Sequence, residues 1–246
     1  MAEDTVPQSG AATDAVVDFV FAVKYSEAVE SMMLATSSDR SSWPRERCER
    51  AVSKLINLRR AVELLWNGEI QFDVDGVLRI HNALMQGILS EERLGFRKGS
   101  AGAGSRIFAS HRVVRLRTDL LLKFAQHKIS AVLDDKQLPK EDKFIRMFAI
   151  AAWVMREFLE IHPFSNGNGR TARLIFSLLL KPLVPIPISM FEMDGVHSGS
   201  MLRSRYLDSL TAVVADPNVA HPPLLFVRYS YSTVRKFLSN IIGICY

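Results

Sequence analysis

Hydrophobic residues recur along most of the chain at the three- and four-residue spacing of a helix, and strictly alternating stretches are scarce. Because a helix repeats about every 3.6 residues and a strand every two, this pattern predicts a mainly α fold. Three helical stretches are predicted over residues 14–34, 44–67 and 74–89. Asp73 stands directly before the third stretch, where its carboxylate can accept a backbone N–H and cap the helix.

Two later segments are the most hydrophobic of the chain. Residues 139–161 carry apolar side chains around nearly the whole helical circumference, which predicts a central, buried helix. A second apolar helix is predicted over residues 168–180, before a run of prolines that begins at Pro182 and cannot continue a helix. The loop between these two helices begins at His162 and is the most polar connection between hydrophobic elements.

Residues 95–111 differ in character from the helical stretches around them. Glycines are frequent here, and the hydrophobic periodicity is lost. Such a composition is typical of a mobile loop or a short hairpin at the surface.

Composition narrows the class of protein. A chain of 246 residues with 48% hydrophobic residues can bury one substantial core and still carry a small N-terminal extension. Lysine and arginine number 31 against 26 acidic residues, and because they are spread along the chain we expect no nucleic-acid binding.

The cysteines and the N-terminus bear on location. Cys48 and Cys245 have no partner at metal-ligand spacing, so they indicate neither a zinc site nor a disulfide framework, and a cytoplasmic, reducing environment is the simpler interpretation. Residues 1–15 lack the pattern of a secretory signal, and no apolar run predicts a membrane span. Secretion by a non-classical route is left open.

The chemically richest segment is residues 162–173, which read His-Pro-Phe-Ser-Asn-Gly-Asn-Gly-Arg-Thr-Ala-Arg. Gly167 and Gly169 allow successive backbone N–H groups to point into one concavity at a helix N-terminus, which favours phosphate. Arg170 and Arg173 are three residues apart on that helix, so both guanidinium groups can reach a polyphosphate. His162 has a side chain suited to accepting a hydroxyl proton at neutral pH.

This segment resembles the motif of the Fic family, His-x-Phe-x-(Asp or Glu)-Gly-Asn-Gly-Arg-x-x-Arg, at every fixed position except Asn166. The resemblance implies a Fic-type helical bundle over residues 43–246, preceded by an extension over residues 1–42. Leu94-Gly95-Phe96-Arg97 and the loop that follows as far as Arg112 resemble the family's flap, a small β-hairpin near the active site. Residues 203–210 resemble a downstream segment in which Tyr206 would line the nucleotide pocket, although core packing explains this tyrosine equally well.

The resemblance also implies an activity, the transfer of AMP from ATP to a serine, threonine or tyrosine hydroxyl of a target protein. His162 would be the general base. The residues that would bind the nucleotide phosphates are Gly167, Asn168, Gly169, Arg170 and Arg173. Phe164 would anchor the loop by packing. A homodimer is compatible with the sequence, which does not identify an oligomeric state.

Asn166 is the main departure from the family motif. It stands where the family has an acid that holds Mg²⁺, and because this hard cation prefers charged oxygen ligands, we expect weaker metal binding. The alternative function is therefore a catalytically silent nucleotide-binding or protein-interaction module of the same fold.

The first predicted helix contains Ser26-Glu27-Ala28-Val29-Glu30, which resembles the family's inhibitory motif. The resemblance implies that Glu30 pairs with Arg173 and occupies the place of the γ-phosphate. In some relatives this glutamate also supports removal of AMP from the target. Ser31 replaces the expected glycine or asparagine, and a solvated glutamate on a helix surface is the alternative interpretation.

Overall fold

The computed structural model describes residues 45–68, 70–103 and 106–184. Within these ranges the chain forms helices and one short hairpin, which confirms the prediction of a mainly α fold. The helices are α1 (Arg45–Trp66), α2 (Val74–Met85), α3 (Val114–Asp134), α4 (Lys140–Ile161) and α5 (Asn168–Leu180). A 3₁₀ turn (Glu91–Arg93) and the strands β1 (Gly102–Ala103) and β2 (Arg106–Ile107) lie between α2 and α3.

The central helix is α4, which packs against both α3 and α5. Ala151 and Ala152 are fully buried on it, and their small side chains let the neighbouring helices approach closely. Phe148 of α4 meets Phe176 of α5 edge to face, with ring centroids 5.4 Å apart. The prediction that this segment would be the buried core helix is confirmed.

A second hydrophobic cluster joins α1, α2 and the outer part of α5, with Leu65, Ile80 and Leu84 among its most buried members. The start of α2 is fixed by Asp73, whose Oδ1 accepts the Gly76 N–H at 2.7 Å. The helix ends earlier than predicted, at Met85, because the backbone of Gln86 leaves the helical region, with φ −55° and ψ 127°.

The glycine-rich stretch forms a hairpin, the second of the two possibilities that its composition indicated. Gly102 pairs with Ile107 and Ala103 with Arg106 in an antiparallel register. The Phe108 N–H donates to the Ala101 carbonyl at 3.1 Å and extends this pairing by one step. Beyond it, the 21-residue helix α3 fills a region to which the sequence analysis assigned no element.

Three sequence predictions lie outside the described residues: the helix over residues 14–34, Glu30 within it, and the segment over residues 203–210 that contains Tyr206. In the described part of the chain, no helix is both long and apolar enough to cross a lipid bilayer.

Candidate active site

The candidate site begins where α4 ends. His162 is the C-cap of α4 and adopts the left-handed conformation, with φ 50° and ψ 58°, while its N–H donates to the Phe158 carbonyl at 3.0 Å. Among the described residues it alone has a positive φ without being glycine. A left-handed residue costs about 1–2 kcal/mol outside glycine, so neighbouring contacts have to hold this one in place.

Phe164 anchors the loop that follows. Its ring is fully buried and stacks on the His81 ring of α2, with centroids 3.8 Å apart and planes 20° from parallel. The rings of Phe96 and Phe158 lie 5.6 Å and 5.9 Å away. An antiparallel bridge between Phe96 and Phe164 joins the loop to the segment before the hairpin. The expected role of Phe164 as a packing residue fits these contacts.

Asn168 closes the loop on itself. Its Oδ1 accepts the Phe164 N–H at 3.0 Å, and its Nδ2 donates to the Phe164 carbonyl at 2.8 Å. Both polar atoms of its side chain are therefore used within the loop. The sequence had led us to expect that Asn168 would contact phosphate oxygens. Of the N–H groups of Asn168, the one on the backbone remains available to a phosphate.

Gly167 forms the turn into α5. It is left-handed, with φ 81° and ψ −1°, and it stands at the N-cap without a side chain to satisfy the first helical N–H groups. These N–H groups have no acceptor within the helix, so they are available to an anion together with the positive end of the helix dipole.

Burial lowers the pKa of His162, the nearby positive charge of Arg97 lowers it further, and a hydrogen bond to the Leu159 backbone opposes both. The imidazole is therefore neutral at pH 7 and can accept a proton. Its ring stacks on Phe108 of the hairpin, with centroids 3.9 Å apart and planes 7° from parallel. This stacking partner was not identified from the sequence.

The two arginines of the loop take different positions. A methyl group added at Gly169 would lie 3.4 Å from Arg173 Nη1, so the Arg173 guanidinium lies beside the N-terminus of α5. Arg170 Nη2 instead lies 3.1 Å from Met85 Sδ, and its Nη1 lies 3.5 Å from the Leu84 carbonyl. Burial lowers the pKa of Arg170, and the charge of Arg173 lowers it further. In this conformation Arg170 faces the end of α2, whereas we had expected both side chains to face the phosphates.

Asn166 offers little to a metal ion. Its exposed side chain uses Oδ1 to accept the Gly167 N–H at 2.6 Å, and its backbone carbonyl lies 3.0 Å from His81 Nε2. Among the residues that the structure describes, no three histidine, cysteine or acidic side chains gather closely enough to hold a metal. One neutral amide oxygen does not fit Mg²⁺, which is bound through carboxylates and substrate phosphates.

Two further residues support the site without belonging to the loop. His81 is fully buried, and burial lowers its pKa, so the ring is neutral and its Nε2–H donates to the Asn166 carbonyl. Arg97 is also buried and bonds to the carbonyl of His162 at 2.7 Å. For His81, the available signal was a histidine at a position that the helical periodicity marks as buried. Arg97 lies in the stretch without such periodicity, and no sequence signal marked it as buried.

The chain is similar in sequence and in fold to known proteins. Residues 71–180 match the model of the Fic/DOC family. The chain is 28% identical over 161 residues to a Fido domain-containing protein of Dictyostelium discoideum, a match that covers 64% of this chain and 99% of that protein.

Solved structures share the fold at low identity. Fic-1 from C. elegans is 20% identical, with a TM-score of 0.55 over 88% of this chain, and the chain spans 57% of that structure. A structure of IbpAFic2 in complex with adenylylated Cdc42 is 15% identical, with a TM-score of 0.51 over 94% of this chain and 72% of that one.

We expect Gly167→Ala to lower the free energy of unfolding by about 1–3 kcal/mol, because its φ is left-handed and an added methyl would lie 2.7 Å from Met85 Sδ. Urea denaturation measures this loss. Gly169→Ala is the matched control, since it adds the same methyl in the first turn of α5, without a left-handed φ and at a tolerable 3.4 Å. Equal destabilisation by both substitutions would contradict the requirement for glycine at position 167.

Proposed function

Because residues 71–180 form a domain of the Fic/DOC family, we propose that this chain transfers AMP from ATP to a hydroxyl group of a target protein. The observation that carries the proposal is the junction of α4 and α5, where a neutral histidine and an unsatisfied helix N-terminus stand at the two ends of one short loop.

In the proposed reaction, the oxygen of a serine, threonine or tyrosine hydroxyl attacks the α-phosphorus of ATP. The bond between that phosphorus and the bridging oxygen breaks, and pyrophosphate leaves with the bonding electrons. His162 takes the hydroxyl proton, a role that its lowered pKa supports because one of its ring nitrogens is unprotonated at neutral pH. Solvent reaches the ring, which is only partly buried.

The triphosphate would bind at the N-terminus of α5. The backbone N–H groups of Asn168 and Gly169 would donate to phosphate oxygens, and the Gly167 N–H would join them by leaving Asn166 Oδ1, which accepts it at 2.6 Å. The guanidinium of Arg173 beside Gly169 would neutralise the charge of the phosphates. Arg170 would act from its place against α2 through its charge, or would turn toward the phosphates when ATP binds. Tyr206 is the proposed contact to the nucleoside.

The described residues supply no cluster of metal ligands, so we assign no step to a protein-held metal. Mg²⁺ would arrive with the phosphates of ATP, and the amide oxygen of Asn166 would lie beside it.

The target would lie against the hairpin. Ile107 of β2 is 86% exposed, and an extended segment of another protein could pair with such a short, open strand pair. IbpAFic2, which shares the fold, forms a complex with adenylylated Cdc42. A protein substrate for this chain is consistent with that neighbour.

Asn166, which stands where the family motif has an acid, favours one alternative function. This alternative is a catalytically silent module that binds nucleotide or protein through the same fold. Binding of ATP without transfer, in the wild type and in variants designed to activate it, would support that alternative.

The direct test uses ATP labelled at the α-phosphate, with and without a cell lysate. We expect His162→Ala to reduce label transfer about 10²–10⁴-fold, the usual contribution of a general base, while ATP affinity by calorimetry stays near the wild-type value. His127→Ala is the matched control, because His127 is exposed on α3. Wild-type transfer rates in His162→Ala would overturn the assignment.

For the metal position, we expect Asn166→Asp to lower the magnesium concentration that gives half-maximal transfer, since a carboxylate restores a charged ligand. Ser165→Asp places the same charge on the neighbouring exposed residue and should change this concentration little. An unchanged or weaker magnesium response in Asn166→Asp would show that position 166 does not face the metal.

For regulation, we expect Glu30→Gly to raise self-modification or lysate labelling above the wild-type level, because Glu30 would no longer compete with the γ-phosphate for Arg173. Glu27→Gly removes the same charge three residues earlier and serves as the control. Adding Arg173→Ala should cancel the gain. Equal effects of the two glycine substitutions would refute inhibition by Glu30.

A further inference from the structure

Arg97 is an arginine buried among backbone carbonyl groups. Its side chain is 6% exposed, and in the described part of the chain its hydrogen bonds run to four carbonyl oxygens. Burial of a charged side chain is costly unless hydrogen bonds replace its hydration, so a guanidinium in this place indicates a specific use.

The first pair of acceptors lies at the end of α4. Arg97 Nε donates to the His162 carbonyl at 2.7 Å, and Nη2 lies 3.4 Å from the Ile161 carbonyl. The last carbonyls of a helix have no partner within it and carry its negative dipole end, so a cation is favourable here. The Arg97 backbone N–H adds a bond to the Pro163 carbonyl at 2.9 Å.

The second pair of acceptors lies at the two ends of the hairpin segment, which we define as residues 99–109. Nη1 donates to the Gly99 carbonyl at 2.7 Å, and Nη2 donates to the Ala109 carbonyl. One side chain therefore closes the base of the hairpin and joins it to α4. A planar group with several diverging N–H donors can do this, whereas the compact ammonium of lysine cannot span the same acceptors.

The consequence appears at His162. Its carbonyl is held by Arg97, and its ring stacks on Phe108, which immediately precedes the Ala109 carbonyl that Arg97 also binds. The strained left-handed backbone of His162 is thus held at two points, by Arg97 and by Phe108 of the hairpin segment.

We propose that Arg97 is a positioning residue for the general base: by fastening the hairpin segment to the end of α4, it presents Phe108 to His162 and fixes the orientation of the imidazole. The inference rests on the proposed AMP transfer for its kinetic consequence. Its geometric content, that Arg97 determines the environment of the His162 ring, does not need that activity.

The first measurement is independent of activity. In the wild type, the ring current of Phe108 should shift the imidazole C–H resonances of His162 upfield in NMR spectra. Phe108→Leu removes that ring and gives the unstacked reference position, and His162→Ala assigns the signals. We expect Arg97→Lys to move the His162 resonances toward the Phe108→Leu position. Lys98→Ala is the control, because Lys98 is a neighbouring but exposed cation.

The second measurement is kinetic. We expect Arg97→Lys to lower kcat for label transfer about 10–100-fold with little change in the KM for ATP, because a displaced base slows the chemical step and leaves the phosphate site intact. If Arg97 acts through Phe108, the double variant Arg97→Lys/Phe108→Leu should be no slower than the slower single variant. Additive losses would contradict a shared route.

The outcomes separate the two proposals. Wild-type His162 resonances in folded Arg97→Lys would overturn the positioning role, whatever the activity. A resonance shift in a protein that transfers no label, either as wild type or with Glu30→Gly, would uphold the positioning role and refute AMP transfer. If Arg97→Lys does not fold, Phe108→Leu decides alone: a lowered kcat with unchanged KM supports presentation of Phe108 to the base, and an unchanged kcat overturns it.

Discussion

The loop between α4 and α5 takes its shape from the burial of Phe164. A segment with two glycines has little intrinsic preference for one conformation, so its order has to come from neighbours. Burial of one phenyl ring contributes about 1.5–3 kcal/mol, and here the ring is enclosed by His81, Phe96 and Phe158 from separate parts of the chain. With Phe164 fixed, the side-chain amide of Asn168 forms hydrogen bonds with the backbone N–H and the carbonyl of Phe164. These bonds hold the start of α5 close to the end of α4.

The sequence predicted best the helices that are strongly apolar and that end at clear breaks. α4 and α5 were located to within a residue or two, because their apolar positions and the breaks around them are unambiguous. No element was assigned to α3, and its surface explains why. Leu116, Leu120 and Phe124 are exposed on it, so they blur the stripe formed by its buried residues. Which apolar residues of α3 are buried depends on helices that are distant in the sequence.

The site was predicted in its residues more than in their contacts. The motif identified His162, Gly167 and Arg173, whose expected functions depend on backbone position and local spacing. The orientations of Asn168 and Arg170 were not foreseen, because a side chain amide or guanidinium follows whichever acceptors the fold brings near. Arg97 reaches across 65 residues to His162, and no local pattern encodes a hydrogen bond to a distant carbonyl.

The alternation of the hairpin limits how its length can change during evolution. Ile107 is open to solvent, and the next residue, Phe108, faces the imidazole. Side chains of an extended chain alternate between two faces. A single residue inserted between Phe108 and Ala109 would therefore turn the Phe108 ring outward and the Ile107 side chain inward. Extra residues at the tip, between β1 and β2, would leave both orientations intact. Homologues should therefore vary in the number of residues between β1 and β2, while the number of residues between β2 and Ala109 changes only in steps of two.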